Sequence, residues 1–95
     1  MKTVDLRSID QNALLHAMLR EILKHLISRG VKMSPGPKYE EVIKTLCKRT
    51  LGEKMTVGGV EIDKPTSLYS TEQMTDFVHK IVAWCATDLE LEIHI

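Results

Sequence analysis

The sequence predicts an α+β fold with three helices, a β-hairpin and a C-terminal strand, the strands forming a small antiparallel sheet. Three stretches place apolar residues at helical spacing, and each is bounded by capping or helix-breaking residues. Before the third stretch, Gly58-Gly59 separates two short β-prone runs, and the chain closes on a strictly alternating segment. Because 95 residues are a usual length for one domain, we expect a single domain over residues 1–95.

The first helix is predicted from about Ile9 to Arg29, with Gly30 just beyond its end. At about 100° per residue its apolar side chains cover an arc of roughly 220°, about twice what one buried face needs. Either the rest of the domain wraps this helix, or a second subunit covers part of it. The eight residues of this arc are Leu14, Leu15, Met18, Leu19, Ile22, Leu23, Leu26 and Ile27.

The entrance of this helix is unusually polar. Ser8 and Gln11 stand three apart, which is the spacing of a capping box, so we expect Ser8 at the N-cap. Arg7, Asp10 and Asn12 crowd the same end, where free N–H groups and partial positive charge are found. The entrance is either a plain helix cap or the beginning of a polar contact surface.

The second helix is predicted from about Lys38 to Leu51, with Pro37 at its first position and Gly52 as its stop. Lys44 and Lys48 fall opposite the expected inward stripe. They form either an ordinary solvated face or a ridge that tracks phosphates. The inward stripe consists of Tyr39, Val42, Ile43 and Leu46.

A hairpin follows, with strands at 55–57 and 60–62. After it, Lys64 and the hydroxyls of Thr66 and Ser67 lie in a segment that Pro65 leads us to expect as non-helical. Such a loop can donate hydrogen bonds to phosphate oxygens, and it can equally be an ordinary strand exit.

A second capping box, Ser70 with Gln73, opens the third helix. Trp84 adjoins the apolar stripe of this helix, and we interpret it as a core residue rather than a platform for base stacking. The tail from Leu89 to Ile95 alternates and predicts a strand that joins the hairpin. The stripe consists of Met74, Phe77, Val78, Ile81, Val82, Cys85 and Leu89.

Composition excludes several classes of protein. The formal net charge is zero, which argues against histone-like binding through bulk positive charge. The first residues carry no long apolar stretch and no segment reaches a membrane-spanning length, so we expect a cytoplasmic protein without a membrane anchor. In that compartment we expect Cys47 and Cys85 to be reduced core residues.

No enzyme signature stands out in the sequence. The four histidines form no ligand pair on one helix, C-x-x-C is absent, and Gly58-Gly59 lacks the features of a phosphate-binding loop. The aspartates are scattered, whereas a nuclease would cluster carboxylates around a metal. We therefore expect no catalytic residue, no metal and no cofactor.

Two segments carry a resemblance. The run Arg7-Ser8-Ile9-Asp10-Gln11-Asn12, opening a long helix, resembles the hallmark of the NinB family of phage recombination proteins, called Orf in lambda-like phages. Lys64-Pro65-Thr66-Ser67, then Glu72-Gln73-Met74 opening a helix that ends near Ala83-Trp84, is similar to a second family segment. Order and spacing agree across about residues 7 to 95.

The resemblance implies a recombination accessory protein rather than an enzyme. It implies a homodimer that binds single-stranded DNA, engages the host single-strand-binding protein and helps a recombinase to load. Ser8 and Asp10 correspond to structural members of the motif. The residues that the resemblance places at DNA are Arg7, Gln11, Asn12, Lys64, Thr66 and Ser67, and charge geometry adds Lys44 and Lys48.

We expect these groups to form one groove in which lysines neutralise phosphates and neutral side chains supply hydrogen bonds. Binding should then be independent of sequence and steeply salt-dependent, with little stacking because aromatic residues are only 4%. Longer lambda-type members carry a β-rich segment before the hexapeptide and a C-terminal extension, so we expect a compact version with weaker binding or a different partner. The alternative is a protein–protein adaptor that binds no DNA.

Overall fold

A computed structural model describes residues 2–95; Met1, the first residue of the predicted domain, lies outside the described part. The α+β class is confirmed. In chain order the elements are β1 (Lys2–Asp5), α1 (Gln11–Ser28), α2 (Pro37–Leu51), β2 (Lys54–Val57), β3 (Val60–Asp63), α3 (Thr71–Asp88) and β4 (Leu91–His94).

The strands form two separate pairs rather than one antiparallel sheet. β2 and β3 make the predicted hairpin, with Val57 opposite Val60. β4 pairs in parallel with β1, from Lys2 beside Leu91 to Asp5 beside His94, and does not join the hairpin. The reason is burial: β4 lies in the core, whereas the hairpin lies outside it, and its apolar residues Val57, Val60 and Ile62 are exposed.

The core lies between α1, α2, α3 and β4. Its largest fully buried side chains include Phe77, Met18, Ile22 and Ile81. All eight apolar residues of the α1 arc are buried or half-buried within the single chain. The large apolar arc of α1 is therefore covered by its own domain, as the first of the two alternatives predicted.

The start of α1 differs from the prediction. Asp10, not Ser8, is the N-cap, and its carboxylate accepts a hydrogen bond from the backbone N–H of Asn12 at 3.0 Å. Ser8 lies in a turn in which the N–H of Ile9 donates to the carbonyl of Leu6 at 3.1 Å. The predicted Ser8–Gln11 capping box is therefore wrong. Leu6 is buried directly after β1, so the chain turns at Ser8 and the helix begins only after Asp10.

The buried face of α2 is also rotated from the predicted stripe. Ile43 and Cys47 are buried, whereas Val42 and Leu46 are 49% and 45% exposed. The helix contacts both α1 and α3, and this packing selects the Ile43–Cys47 row. Lys44 and Lys48 are consequently half-buried, and they lie beside this core row rather than opposite it.

The segment before α3 is partly helical. Thr66–Leu68 forms one 3-10 turn, closed by the N–H of Leu68 donating to the carbonyl of Pro65 at 3.0 Å, so the expectation of a non-helical loop is wrong. The Ser70–Gln73 capping box is confirmed in both directions. Trp84 packs half-buried against the core, as predicted.

The link between α3 and β4 contains one strained residue. Glu90 has a φ of 52°, a left-handed conformation that costs a residue with a Cβ about 1–2 kcal/mol. We expect Glu90→Gly to raise the free energy of unfolding by about 0.5–1 kcal/mol, net of the greater chain entropy of glycine. Loss of the exposed Arg29–Glu90 ion pair, at 3.8 Å, reduces this gain in the free energy of unfolding only slightly.

Urea unfolding measures this change, and Glu92→Gly within β4 is the matched control, which should destabilise the protein. A Glu90→Gly variant no more stable than the wild type would contradict the argument from strain.

Candidate nucleic-acid interface

Most of the predicted DNA-binding residues converge on one cleft of about 410 Å³, which we call the polar cleft. Its walls are the start of α1, the middle of α2, the 3-10 turn and the start of α3. Five of the eight predicted residues line it: Gln11, Asn12, Lys44, Thr66 and Ser67. The sequence placed these residues in three separate segments, and the fold brings them together.

The α1 wall is set by the helix cap. Asp10 accepts from the N–H of Asn12, which fixes the first turn and leaves the side chains of Gln11 and Asn12 exposed at the cleft. Asp10 therefore has a local structural role as the N-cap of α1. One turn further on, His16 lines the same wall.

The opposite wall is built by two consecutive local structures. Thr66 and Ser67 belong to the 3-10 turn, and Ser70 caps α3 through its bond from the N–H of Gln73 at 3.1 Å. The Gln73 side chain in turn accepts from Lys64 at 3.0 Å. These bonds hold the hydroxyl-bearing segment against the start of α3.

Lysine is the charged residue type in the lining of the cleft, although the chain is neutral overall. None of its lining residues, all within the described part of the chain, is aspartate or glutamate. Lys44 is the lysine of the lining, and no carboxylate of residues 2–95 pairs with it. A lysine surrounded by hydroxyls and amides suits an anion that needs one counter-charge and several hydrogen-bond donors.

The other three predicted residues lie outside the polar cleft. Arg7 is held by Asp5 through two bonds, Nε to Oδ1 at 3.0 Å and Nη2 to Oδ2 at 2.8 Å, which hold the pKa of that carboxyl well below its usual range. Lys64 is bound to Gln73. Lys48 lies close enough to the hairpin to help lower the pKa of Asp63, after the larger effect of the hydrogen bond from Lys54.

A second cleft of about 270 Å³ adjoins the first, and we call it the apolar cleft. The two share Gln11, Leu15 and Met74. Arg7 and Ile9 line the apolar cleft, so the hexapeptide 7–12 contributes side chains to both clefts. The remaining lining residues of the apolar cleft are Leu6, Leu14, Thr75, Val78, His79 and Ile95.

Sequence reasoning missed several residues of the polar cleft. His16 could have been found, because it stands four residues after Asn12 and so shares its helix face. Tyr69 gave no such signal: its hydroxyl accepts from the N–H of Glu53 at 3.0 Å, and its ring meets Phe77 edge-on, with centroids 5.5 Å apart. Tyr69 thereby ties the cleft to the core.

Comparison with known proteins identifies the family. A family model described as NinB protein matches residues 2–89, which include the hexapeptide and both walls of the polar cleft. No curated protein and no solved structure matches the chain. Within the described residues, no helix has the length and apolar character needed to cross a membrane. The chain therefore belongs to the NinB family, and this membership suggests a protein related to phage recombination.

Proposed function

We propose that this protein is a recombination accessory protein, not an enzyme, that binds single-stranded DNA through the polar cleft. In this proposal it acts with the host single-strand-binding protein and assists loading of a recombinase. The observation that carries the proposal is the convergence of Gln11, Asn12, Lys44, Thr66 and Ser67 on one cleft without a lining carboxylate. Its place of action is the host cytoplasm, which fits two free, buried cysteines.

The chemistry of the cleft matches the DNA backbone better than base edges. The ammonium of Lys44 neutralises a phosphate, while the hydroxyls of Thr66 and Ser67 and the amides of Gln11 and Asn12 donate hydrogen bonds to its oxygens. Contacts to phosphate carry no sequence information. Binding by this cleft is therefore independent of sequence.

The number of cations sets the salt dependence. Each phosphate neutralised on a single strand contributes about −0.7 to the slope of log affinity against log salt. Because Lys44 is the lysine of the cleft, each chain contributes a slope near that value. The affinity therefore falls less steeply with rising salt than it would for a ridge of several lysines.

Lys44→Ala tests the site directly. We expect this variant to bind a labelled oligonucleotide about tenfold more weakly and to have a flatter salt slope, since it loses one charge-assisted contact of about 1.5 kcal/mol. Fluorescence anisotropy between about 50 and 200 mM salt measures both quantities. Lys48→Ala is the matched control on the same helix and should leave the slope unchanged. An identical slope in wild type and Lys44→Ala would remove the cleft from the proposal.

The proposal includes a homodimer, and the exposed face of α2 supports it. Val42 and Leu46 are exposed there, in a shallow groove bounded by Glu41 and Arg49. An antiparallel pair of α2 helices centred on Thr45 would set Glu41 of each chain opposite Arg49 of the other and bury both apolar residues. A two-fold interface requires such self-complementarity.

We expect Leu46→Glu to abolish the dimer, measured as the mass in solution, without unfolding the chain, because this position is exposed. Val60→Glu, at an exposed site on the hairpin, is the control and should leave the mass unchanged. If Leu46→Glu has the mass of the wild type, α2 is not the interface. The same face supports a second candidate function, a protein–protein adaptor, which is favoured if the anisotropy titration shows no DNA binding at low salt.

A further inference from the structure

We propose that the apolar cleft holds one nucleobase of the strand whose phosphate lies in the polar cleft. This inference rests on the proposed function and names a second contact of the same ligand. The two clefts adjoin, because Gln11, Leu15 and Met74 line both. In a nucleotide the base and the phosphate are separated by a single sugar, so a ligand with its phosphate in one cleft reaches the other with its base.

The lining of the apolar cleft fits a flat heterocycle. Most of its lining side chains are apolar, including Leu14 and Val78, and its two isoleucines, Ile9 and Ile95, are 37% and 38% exposed. Burying the exposed side chains of these isoleucines against a base is favourable. The amide of Gln11 offers both a donor and an acceptor at the edge of the cleft. At about 270 Å³ the cleft lies just below the range of about 300–1,000 Å³ that holds drug-sized ligands, which suits one ring system.

Charge at the rim argues for a neutral occupant rather than an acidic peptide. Arg7 is the arginine of this lining, and both oxygens of Asp5 already bind it. The guanidinium therefore brings no net charge to the cleft. A carboxylate entering here would have to compete with Asp5, whereas a base needs no counter-ion.

The test compares an oligothymidylate with an abasic oligonucleotide of equal length by fluorescence anisotropy. Both carry the same phosphates, so both should show the Lys44-dependent salt slope. We expect the wild type to bind the oligothymidylate about five- to tenfold more tightly, the lower end of what base stacking on aromatic residues gives. Ile9→Ala, which removes a wall, and Thr75→Leu, which fills the cleft, should lose this preference.

Ile62→Ala is the matched control, because Ile62 is a similarly exposed isoleucine on the hairpin, outside both clefts. It should keep the preference for the oligothymidylate. Equal affinity of the wild type for both oligonucleotides, with the salt slope intact, would overturn the base contact and leave the phosphate site standing. Failure to bind either oligonucleotide would overturn both proposals. Binding of an acidic peptide in the same cleft, lost in Ile9→Ala while the two oligonucleotides bind equally, would identify a protein ligand instead.

Discussion

Alkaline pH is expected to destabilise this protein strongly, because two thiols are buried in its core. Burial raises the pKa of Cys47 to about 11 and that of Cys85 to about 12, the latter also through the nearby Cys47. In the unfolded chain a thiol ionises near pH 8.5. Between about pH 8.5 and 11 the unfolded state therefore releases thiol protons that the folded state keeps, and the free energy of unfolding falls as pH rises.

The expected loss is large. Each unit of difference in pKa between the two states is worth about 1.4 kcal/mol, so the two thiols together account for several kcal/mol by about pH 12. A small domain has only about 5–15 kcal/mol in total. Below about pH 8.5 the thiols are protonated in both states and contribute no pH dependence.

Urea unfolding at a series of pH values measures this effect. Lysine and tyrosine titrations are common to the wild type and a Cys47→Ala/Cys85→Ala variant, so the difference between their two pH profiles isolates the thiols. We expect the variant to start less stable, because it has cavities, and to decline less steeply above about pH 9. Parallel profiles would contradict the prediction. Independently, neither thiol of the native wild type should react with a thiol reagent at neutral pH.

Gly52→Ala is expected to destabilise the protein by about 2–3 kcal/mol. A Cβ at this position would lie 2.6 Å from the hydroxyl oxygen of Tyr69 and 2.7 Å from the carbonyl oxygen of Lys48. The second neighbour is helix backbone, which cannot move without disturbing the end of α2. Overpacking of this kind typically costs 1–3 kcal/mol. Displacing Tyr69 also threatens the bond that its hydroxyl accepts from Glu53 and its contact with Phe77.

A double-mutant cycle with Tyr69→Phe separates the two clashes. Tyr69→Phe alone should cost about 1 kcal/mol through the lost hydrogen bond. In combination with Gly52→Ala the cost should be clearly less than the sum, because the hydroxyl in the way is gone. Strict additivity, measured by urea unfolding, would show that the Lys48 backbone alone resists the methyl group.

The sequence predicts the three helices and the hairpin well, because strong local signals mark them. Gly58-Gly59 and the Ser70–Gln73 box each act within a few residues, and both are found where predicted. Pairings between distant segments were not predictable. The β1 sequence, Lys-Thr-Val-Asp, has one apolar residue and no clear alternation, and only the buried strand β4 at the other end of the chain selects it.

In the candidate site, too, the local motifs were predictable and the contacts between distant segments were not. The hexapeptide and the hydroxyl segment were recognisable as motifs, yet their meeting with Lys44 depends on how α2 packs. The predicted stripe of α2 included Val42 and Leu46, because a hydropathy pattern cannot tell a core row from an exposed one when both are apolar. Packing against α1 and α3 chose the Ile43–Cys47 row, and this rotation carries Lys44 into the cleft.

The parallel alignment of β1 with β4 has a consequence for synthesis on the ribosome. Lys2 leaves the exit tunnel long before its partner Leu91, because nearly the whole described chain separates the two residues. Until β4 has been synthesised, β1 has no strand to pair with and is open to contacts with other nascent chains. Closure of so long a loop is an intrinsically slow step, so the native state is reached only after translation has passed β4.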